Sequence, residues 1–168
     1  MNTDTLTRLS KALPSKLRKR LEATTHDELI LSFDPLTPED LRLGQSRAGG
    51  VPDLPDSLEH PAGLQFLCQI NLAEVPRTPG TSLLPSEGML YFFYDMEDQP
   101  WGFDPAHKGK WAVLHADTIS GLRARPGAAK ANPRQIRFTS ERRLTDPEFA
   151  PEILSGSGSW RKQQEAGE

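Results

Sequence analysis

The chain has 168 residues and a formal net charge of −3, and 36% of its residues are hydrophobic. That length suits one domain of ordinary size, and the apolar share excludes a chain that stays disordered for want of a core. A single cysteine, Cys68, excludes an internal disulfide framework and a zinc site built from cysteines. No apolar run is long enough for a signal peptide or a membrane span, so we expect a cytosolic protein that does not contact membranes.

The charges form blocks of opposite sign along the chain. Residues 26–120 carry 15 acidic and 5 basic side chains, whereas residues 1–25 and 121–143 are basic. Either the basic segments fold over the acidic middle as surface ion pairs, or the acidic middle attracts a basic protein partner. Nucleic-acid binding is not expected, because the net charge is negative and no reading module is recognisable. The residues weighed for such binding are Arg123, Arg125, Lys130, Arg134 and Arg137.

The first predicted element is an amphipathic N-terminal helix. Its leucines recur at spacings of three and four and therefore share one face. They are Leu6, Leu9, Leu13, Leu17 and Leu21. Pro14 has no amide N–H, so the helix should kink there or restart with this proline in its first turn. We expect the leucine face to dock on the protein's own core.

Short strands are predicted after the helix. Residues 29–33 read as a buried strand that ends at Asp34 and Pro35. Residues 64–70 alternate, with Leu64, Phe66, Cys68 and Ile70 on one face and Gln65, Leu67 and Gln69 on the other. Residues 89–94 and 111–114 are predicted as central strands that are covered on both faces. Residues 135–139 alternate, with Ile136 and Phe138 pointing inward.

Loops connect these strands. Residues 35–61 contain five prolines and the pair Gly49 and Gly50, which predicts turns and extended loop. A short helix is predicted over residues 146–154, and a flexible tail over 155–168 follows it. The predicted fold is therefore α+β, one domain over residues 1–154 with a mainly antiparallel sheet, an N-terminal amphipathic helix and long Pro/Gly-rich loops.

A series of short motifs carries a resemblance to a known family. In order they are Gly49-Gly50-Val51-Pro52-Asp53-Leu54-Pro55, His60-Pro61, Phe66-Leu67-Cys68-Gln69-Ile70-Asn71-Leu72, Leu84-Pro85 and Gly88-Met89-Leu90-Tyr91-Phe92-Phe93-Tyr94-Asp95. Over residues 44–116 this series resembles the YwqG-like family of bacterial proteins, a domain of unknown function. Its structural motif residues are Gly49, Gly50, Pro52, Pro55 and Gln69. His60 stands where the family usually has tryptophan.

The resemblance does not imply a particular catalytic activity, because the family has no agreed one. It implies a cytosolic bacterial protein, and relatives encoded beside toxins look like immunity proteins that bind and block the toxin. The second half of the longer relatives is not recognisable in this chain, so no site is transferred from it. An inference of this kind is family analogy and carries no site chemistry by itself.

The side chains that catalysis would need are not arranged in a recognisable pattern. No Gly-x-Ser-x-Gly elbow is present, and Cys68 lies in the middle of a predicted strand, where a buried inert thiol is the usual case. The four histidines lack the spacing of a helical metal pair, and no phosphate-binding loop follows Gly49 and Gly50. We therefore expect no catalytic residue, no metal and no cofactor.

Residues 95–104, which we call the acidic aromatic loop, are the candidate partner surface. Aromatic rings within an acidic rim resemble a hot spot for a basic protein partner. The candidate contact residues are Asp95, Glu97, Asp98, Trp101, Phe103 and Asp104. The alternative is that the two aromatic rings fold under the loop onto the sheet.

Two functions follow from the sequence. We favour a non-enzymatic binding protein, specifically an immunity protein that neutralises a bacterial toxin, with an oligomeric state that the sequence does not define. The alternative is a small-molecule-binding domain or an enzyme. Its pocket would be formed by the loop over residues 49–61 with Gln69, Asn71 and His60.

Overall fold

The computed structural model describes residues 3–125 and 131–144. These divide into two compact units, residues 3–29 with 140–144, and residues 30–125 with 131–139. The predicted helix over 146–154 and the tail over 155–168 lie outside the described residues, and one domain over residues 1–154 stays a prediction.

The smaller unit begins with two helices. They are α1 (Thr3–Ala12) and α2 (Ser15–Ala23), so the break that Pro14 predicts is present. The carbonyl of Pro14 accepts the amide of Arg18 at 2.9 Å and so joins the first turn of α2. Leu17 is 48% exposed, while Leu13 and Leu21 are half-buried. The described leucines thus do not form one buried face, and their docking on the core stays a prediction.

The described residues contain eight strands in two sheets. They are β1 (Thr25–Pro35), β2 (Arg47–Ala48), β3 (Asp53–Leu54), β4 (Gln65–Asn71), β5 (Met89–Tyr94), β6 (Trp111–Ala116), β7 (Arg123–Ala124) and β8 (Arg134–Leu144). Six lie in the order β1-β8-β2-β4-β5-β6, and β3 pairs with β7. The sheet is mainly antiparallel, as the sequence predicts. The described connections contain four short 3₁₀ helices, Pro38–Asp40, Leu72–Glu74, Pro79–Thr81 and Pro105–His107.

Two predicted strands are edges rather than buried elements. β1 and β6 stand at the two ends of the described sheet. Phe33 on β1 and Trp111 on β6 are exposed, so the predictions of a buried first strand and of a β6 covered on both faces are wrong. Apolar composition alone does not distinguish an edge strand from a central one, because strand pairing is decided by residues far away in sequence.

The core lies on one face of β5 and β6. Met89, Tyr91 and Phe93 alternate along β5 and point into it. Leu54, Leu64, Ala116 and Leu122 complete the buried cluster. Ile136 on β8 is also buried, as predicted.

A β-bulge in β4 overturns the predicted alternation of that strand. Phe66 pairs with Phe93, but the next residue in register is Cys68, which pairs with Phe92. Leu67 is therefore an extra residue, and after it each side chain changes face. Phe66 and Gln69 consequently share the core face, although the sequence places them on opposite faces.

Gly49 and Gly50, which we call the glycine turn, fix the chain where β2 ends. Their φ angles are +71° and +72°, in the left-handed region that glycine tolerates best. The amide of Gly49 donates to the carbonyl of the bulge residue Leu67 at 2.8 Å. A Cβ on Gly49 would lie 2.7 Å from the backbone oxygen of Asn132. This position therefore excludes other residues both by conformation and by space.

We expect Gly49→Ala to destabilise the protein more than Gly63→Ala. Gly63 has a similar φ of +74° but has nothing within 4 Å of its added Cβ, so it isolates the conformational cost of about 1–2 kcal/mol. The backbone clash should add about 1–3 kcal/mol at Gly49. Urea unfolding of both variants measures the difference, and equal losses would show that the close contact with Asn132 is relieved at no cost.

Candidate functional site

A buried polar cluster lies beneath the glycine turn. It consists of Arg47, Asp53, Gln69 and Tyr91, and the side chains of Arg47 and Asp53 are only 3% and 2% exposed. Arg47 donates to both carboxylate oxygens of Asp53, at 2.6 and 2.8 Å. Two parallel contacts of this kind match the planar guanidinium to the carboxylate.

The strands place the members of the cluster side by side. Arg47 on β2 pairs in register with Gln69 on β4, and Gln69 pairs with Tyr91 on β5. The Gln69 side chain donates a hydrogen bond to Asp53 Oδ2 and accepts one from the Asp53 amide, both at 2.9 Å. The Tyr91 hydroxyl donates to the Asp53 carbonyl at 2.6 Å. Asp53 is thus held through both its carboxylate and its backbone.

The surroundings keep Asp53 ionised. Burial alone would raise the pKa of its carboxyl group, but hydrogen bonds from Arg47, Gly44 and Gln69 and the positive charge of Arg47 outweigh burial and lower that pKa. Burial also raises the pKa of Tyr91, and the negative charge of Asp53 raises it further, so the phenol remains a hydrogen-bond donor. The cluster is closed to solvent, and its hydrogen bonds connect neighbouring strands, so its geometry is that of a structural cross-link.

A cleft of about 740 Å³ opens on the other side of the glycine turn. Its wall includes the glycine turn, Pro52 and His60, together with the bulge region of β4. The predicted pocket loop does therefore line a cleft. Gln69 and Asn71 do not line it, because Gln69 belongs to the buried cluster and the Asn71 side chain donates to the Gly44 carbonyl at 2.9 Å.

The structural motif residues support both features. Pro52, Pro55 and Gln69 are buried, and the carbonyl of Pro52 accepts the amide of Arg125 at 2.9 Å. The amide of Gly50 donates to the carbonyl of Ala131 at 2.9 Å. The motif thus fixes the backbone between the polar cluster and the cleft.

The acidic aromatic loop follows β5 and is closed by one lysine. Lys110 Nζ lies 2.8 Å from a carboxylate oxygen of Asp95 and 2.5 Å from one of Asp98. The other oxygen of Asp95 accepts the amides of Glu97 and Asp98. The hydrogen bond from Lys110 is the main reason that the pKa of Asp95 is lowered. The ion pairs hold the base of the loop.

The two aromatic rings of the loop do not fold onto the sheet. Trp101 is 84% exposed and Phe103 is 87% exposed. Glu97, Asp98 and Asp104 are exposed around them, whereas Asp95 is only 13% exposed. Five of the six candidate contact residues therefore lie at the surface, and Asp95 supports the loop from below.

Sequence reasoning missed the two basic residues that organise these sites. The sequence pattern does not distinguish either of them, Arg47 or Lys110, from the other charged residues. One available signal is scarcity, since residues 26–120 contain five basic side chains among 15 acidic ones. A rare cation in such a segment has several carboxylates with which it can pair.

Within residues 3–125 and 131–144, no group of three or more His, Cys, Asp or Glu side chains could hold a metal ion. No helix in this part of the chain is long and apolar enough to cross a membrane.

The fold and the site define a protein with a mainly antiparallel sheet and a glycine turn beside a buried Arg–Asp pair. The model of the family described as Domain of unknown function (DUF1963) matches residues 46–166, and the chain belongs to this family. That range covers β2 to β8 and includes the glycine turn, the polar cluster, the cleft and the acidic aromatic loop. No curated protein matches the chain.

We expect Asp53→Asn to lower the free energy of unfolding by about 3–5 kcal/mol, because it leaves the buried Arg47 charge unpaired. Asp56→Asn is the matched control, since Asp56 pairs with Arg125 at 2.6 Å but is exposed, and its loss should cost less than about 1 kcal/mol.

The effect of Asp53 on stability should depend on pH. Folding lowers the pKa of Asp53, so its contribution to the free energy of unfolding is present above the unfolded pKa near 3.9 and is lost as pH falls through the folded pKa. Wild type and Asp53→Asn should therefore become equally stable only in strong acid. Urea unfolding from pH 7 to pH 2 tests this, and a gap between wild type and Asp53→Asn that closes well above pH 4 contradicts it.

We expect Cys68 to react slowly with thiol reagents. Burial raises the pKa of its thiol to about 11, so its thiolate is scarce at neutral pH. The labelling rate of the native protein at pH 8 should be roughly 100-fold below that of free cysteine. The urea-unfolded protein is the control and should label at the ordinary rate. Rapid labelling of the native protein would mark Cys68 as an accessible nucleophile.

Proposed function

We propose that this protein is a non-enzymatic binding protein whose partner surface is the acidic aromatic loop. The observation that carries the proposal is the exposure of Trp101 and Phe103, at 84% and 87%. Large rings left in water are available to be buried by a partner, and tryptophan is among the residues most enriched at binding hot spots.

The charges around these rings favour a basic partner. Residues 95–104 contain four acidic side chains and no basic one. Lys110, which lies outside residues 95–104, pairs with Asp95 and Asp98 at the base of the loop. A basic protein surface would therefore be attracted over a distance and then bury the rings on contact.

The loop is also prepared for binding. Its base is closed by Lys110, the Tyr94 hydroxyl donates to the Pro100 carbonyl at 2.7 Å, and Asp104 accepts the Ala106 amide at 2.8 Å. A loop that is already ordered loses less conformational entropy when it binds. The contacts within the loop thus support a preformed interface.

The finer form of the proposal is an immunity protein that covers the active surface of a basic toxin in the bacterial cytosol. Its support is the resemblance of residues 44–116 to YwqG-like proteins, taken together with membership of the DUF1963 family. The acidic loop suits such a role, because an inhibitor of an enzyme that acts on an anionic substrate must present negative charge to the same surface.

The proposal predicts that Trp101→Ala with Phe103→Ala abolishes partner capture without changing thermal stability. Tagged wild type and variant are expressed in the native cell, and captured proteins are quantified by mass spectrometry. Leu83→Ala is the matched control, because Leu83 is an equally exposed apolar residue, at 96%, outside the loop. A basic protein should be retained by wild type and by the control but lost by the double variant, since anchor residues are worth about 2 kcal/mol or more each.

The charge of the loop is tested separately with the purified partner. Glu97→Lys should slow association and reduce its dependence on salt, whereas Glu87→Lys, an exposed reversal outside the loop, should not. Retention of the partner by the well-folded double aromatic variant would exclude this loop as the interface.

A further inference from the structure

The cleft beside the glycine turn has a charge that differs from that of the chain around it. Its described lining contains two arginines, Arg125 and Arg134, and one histidine, His60, and no carboxylate lies among these described lining residues. Carboxylates outnumber basic side chains three to one over residues 26–120. A cavity whose described wall carries basic side chains and no carboxylate is therefore suited to an anionic group.

The two arginines differ in how far their charge is already compensated. Asp56 pairs with Arg125 at 2.6 Å and with Arg123 at 3.5 Å, so one carboxylate serves two guanidinium groups. Arg134 donates to the Phe33 carbonyl at 2.8 Å, and no described carboxylate lies within ion-pair distance of it. Its remaining N–H groups can bind a carboxylate in the bidentate manner typical of arginine.

The rest of the wall is largely apolar. Leu64, Phe66 and Leu67 from the β4 region and Met96 from the acidic aromatic loop line the cleft. Leu67 and Met96 remain exposed in it, and the bulge is what turns Leu67 outward. An apolar wall beside a few polar groups is the usual composition of a small-molecule site, and about 740 Å³ lies within the usual size range.

We propose that this cleft binds a small amphipathic carboxylate, with the carboxylate at Arg134 and an aliphatic or aromatic body against Phe66, Leu67 and Met96. The proposal goes beyond the binding protein function, because the cleft is lined by none of the six candidate contact residues of the acidic aromatic loop and carries the opposite charge. Either activity can be lost while the other remains.

Dodecanoate is the probe, titrated into the full-length protein by calorimetry below its aggregation concentration. We expect one saturable site. The dodecyltrimethylammonium cation, which has the same chain and the opposite charge, should bind at least tenfold more weakly. The absence of saturable dodecanoate binding, or equal binding of the two probes, would overturn the proposal.

Two pairs of variants locate the site. Arg134→Met should weaken dodecanoate binding about tenfold or more, whereas Arg137→Met, on the same strand but outside the cleft and paired with Asp34, should not. Leu67→Asp should also weaken it by placing a negative charge in the wall, and Leu83→Asp is its exposed control. If Arg134→Met fails to fold, the second pair decides. If Leu67→Asp and Leu83→Asp weaken dodecanoate binding equally, the placement of the site in this cleft is wrong.

Discussion

The contact between Arg47 and Asp53 is the interaction on which the rest of the larger unit depends. Asp53 Oδ2 accepts hydrogen bonds from Arg47, Gly44 and Gln69, and its backbone is bound by Gln69 and Tyr91. One residue thus connects β2, β4, β5 and the loop before β2. Both charges are removed from water, so each is stable in the interior only while the other is in place. The glycine turn follows from this arrangement, because the chain must reverse within the few residues between Arg47 and Asp53.

Local patterns predicted the elements better than they predicted their surroundings. The Pro14 break and the inward Ile136 depend on neighbours in sequence, and the mainly antiparallel sheet is expected because loops connect the strands; these predictions are confirmed. The burial of β1 and the two-sided cover of β6 depend on which strands become edges, and those predictions are wrong. The docking of the N-terminal leucines on the core stays a prediction.

The candidate site divides in the same way. Acidic and aromatic composition identifies the loop over residues 95–104, but only the structure shows that Lys110 closes it and that Asp95 is turned inward. The predicted pocket loop lines a cleft, yet Gln69 lies in the core because the bulge at Leu67 shifts the register. A bulge is one inserted residue and leaves no periodic signal, so alternation read along β4 places every later side chain on the wrong face.

The ion pairs of the two strands β1 and β8 contrast with the buried pair. Arg137 pairs with Asp34 in the larger unit, and Arg142 and Arg143 pair with Asp27 and Glu28 in the smaller one. The arginine side chains of these pairs are about half exposed, so dissolved ions can screen them, whereas the pair of Arg47 with Asp53 is inaccessible to ions. Ionic strength therefore acts unequally on the sheet. Its outer border responds to the salt content of the surroundings, and its centre does not.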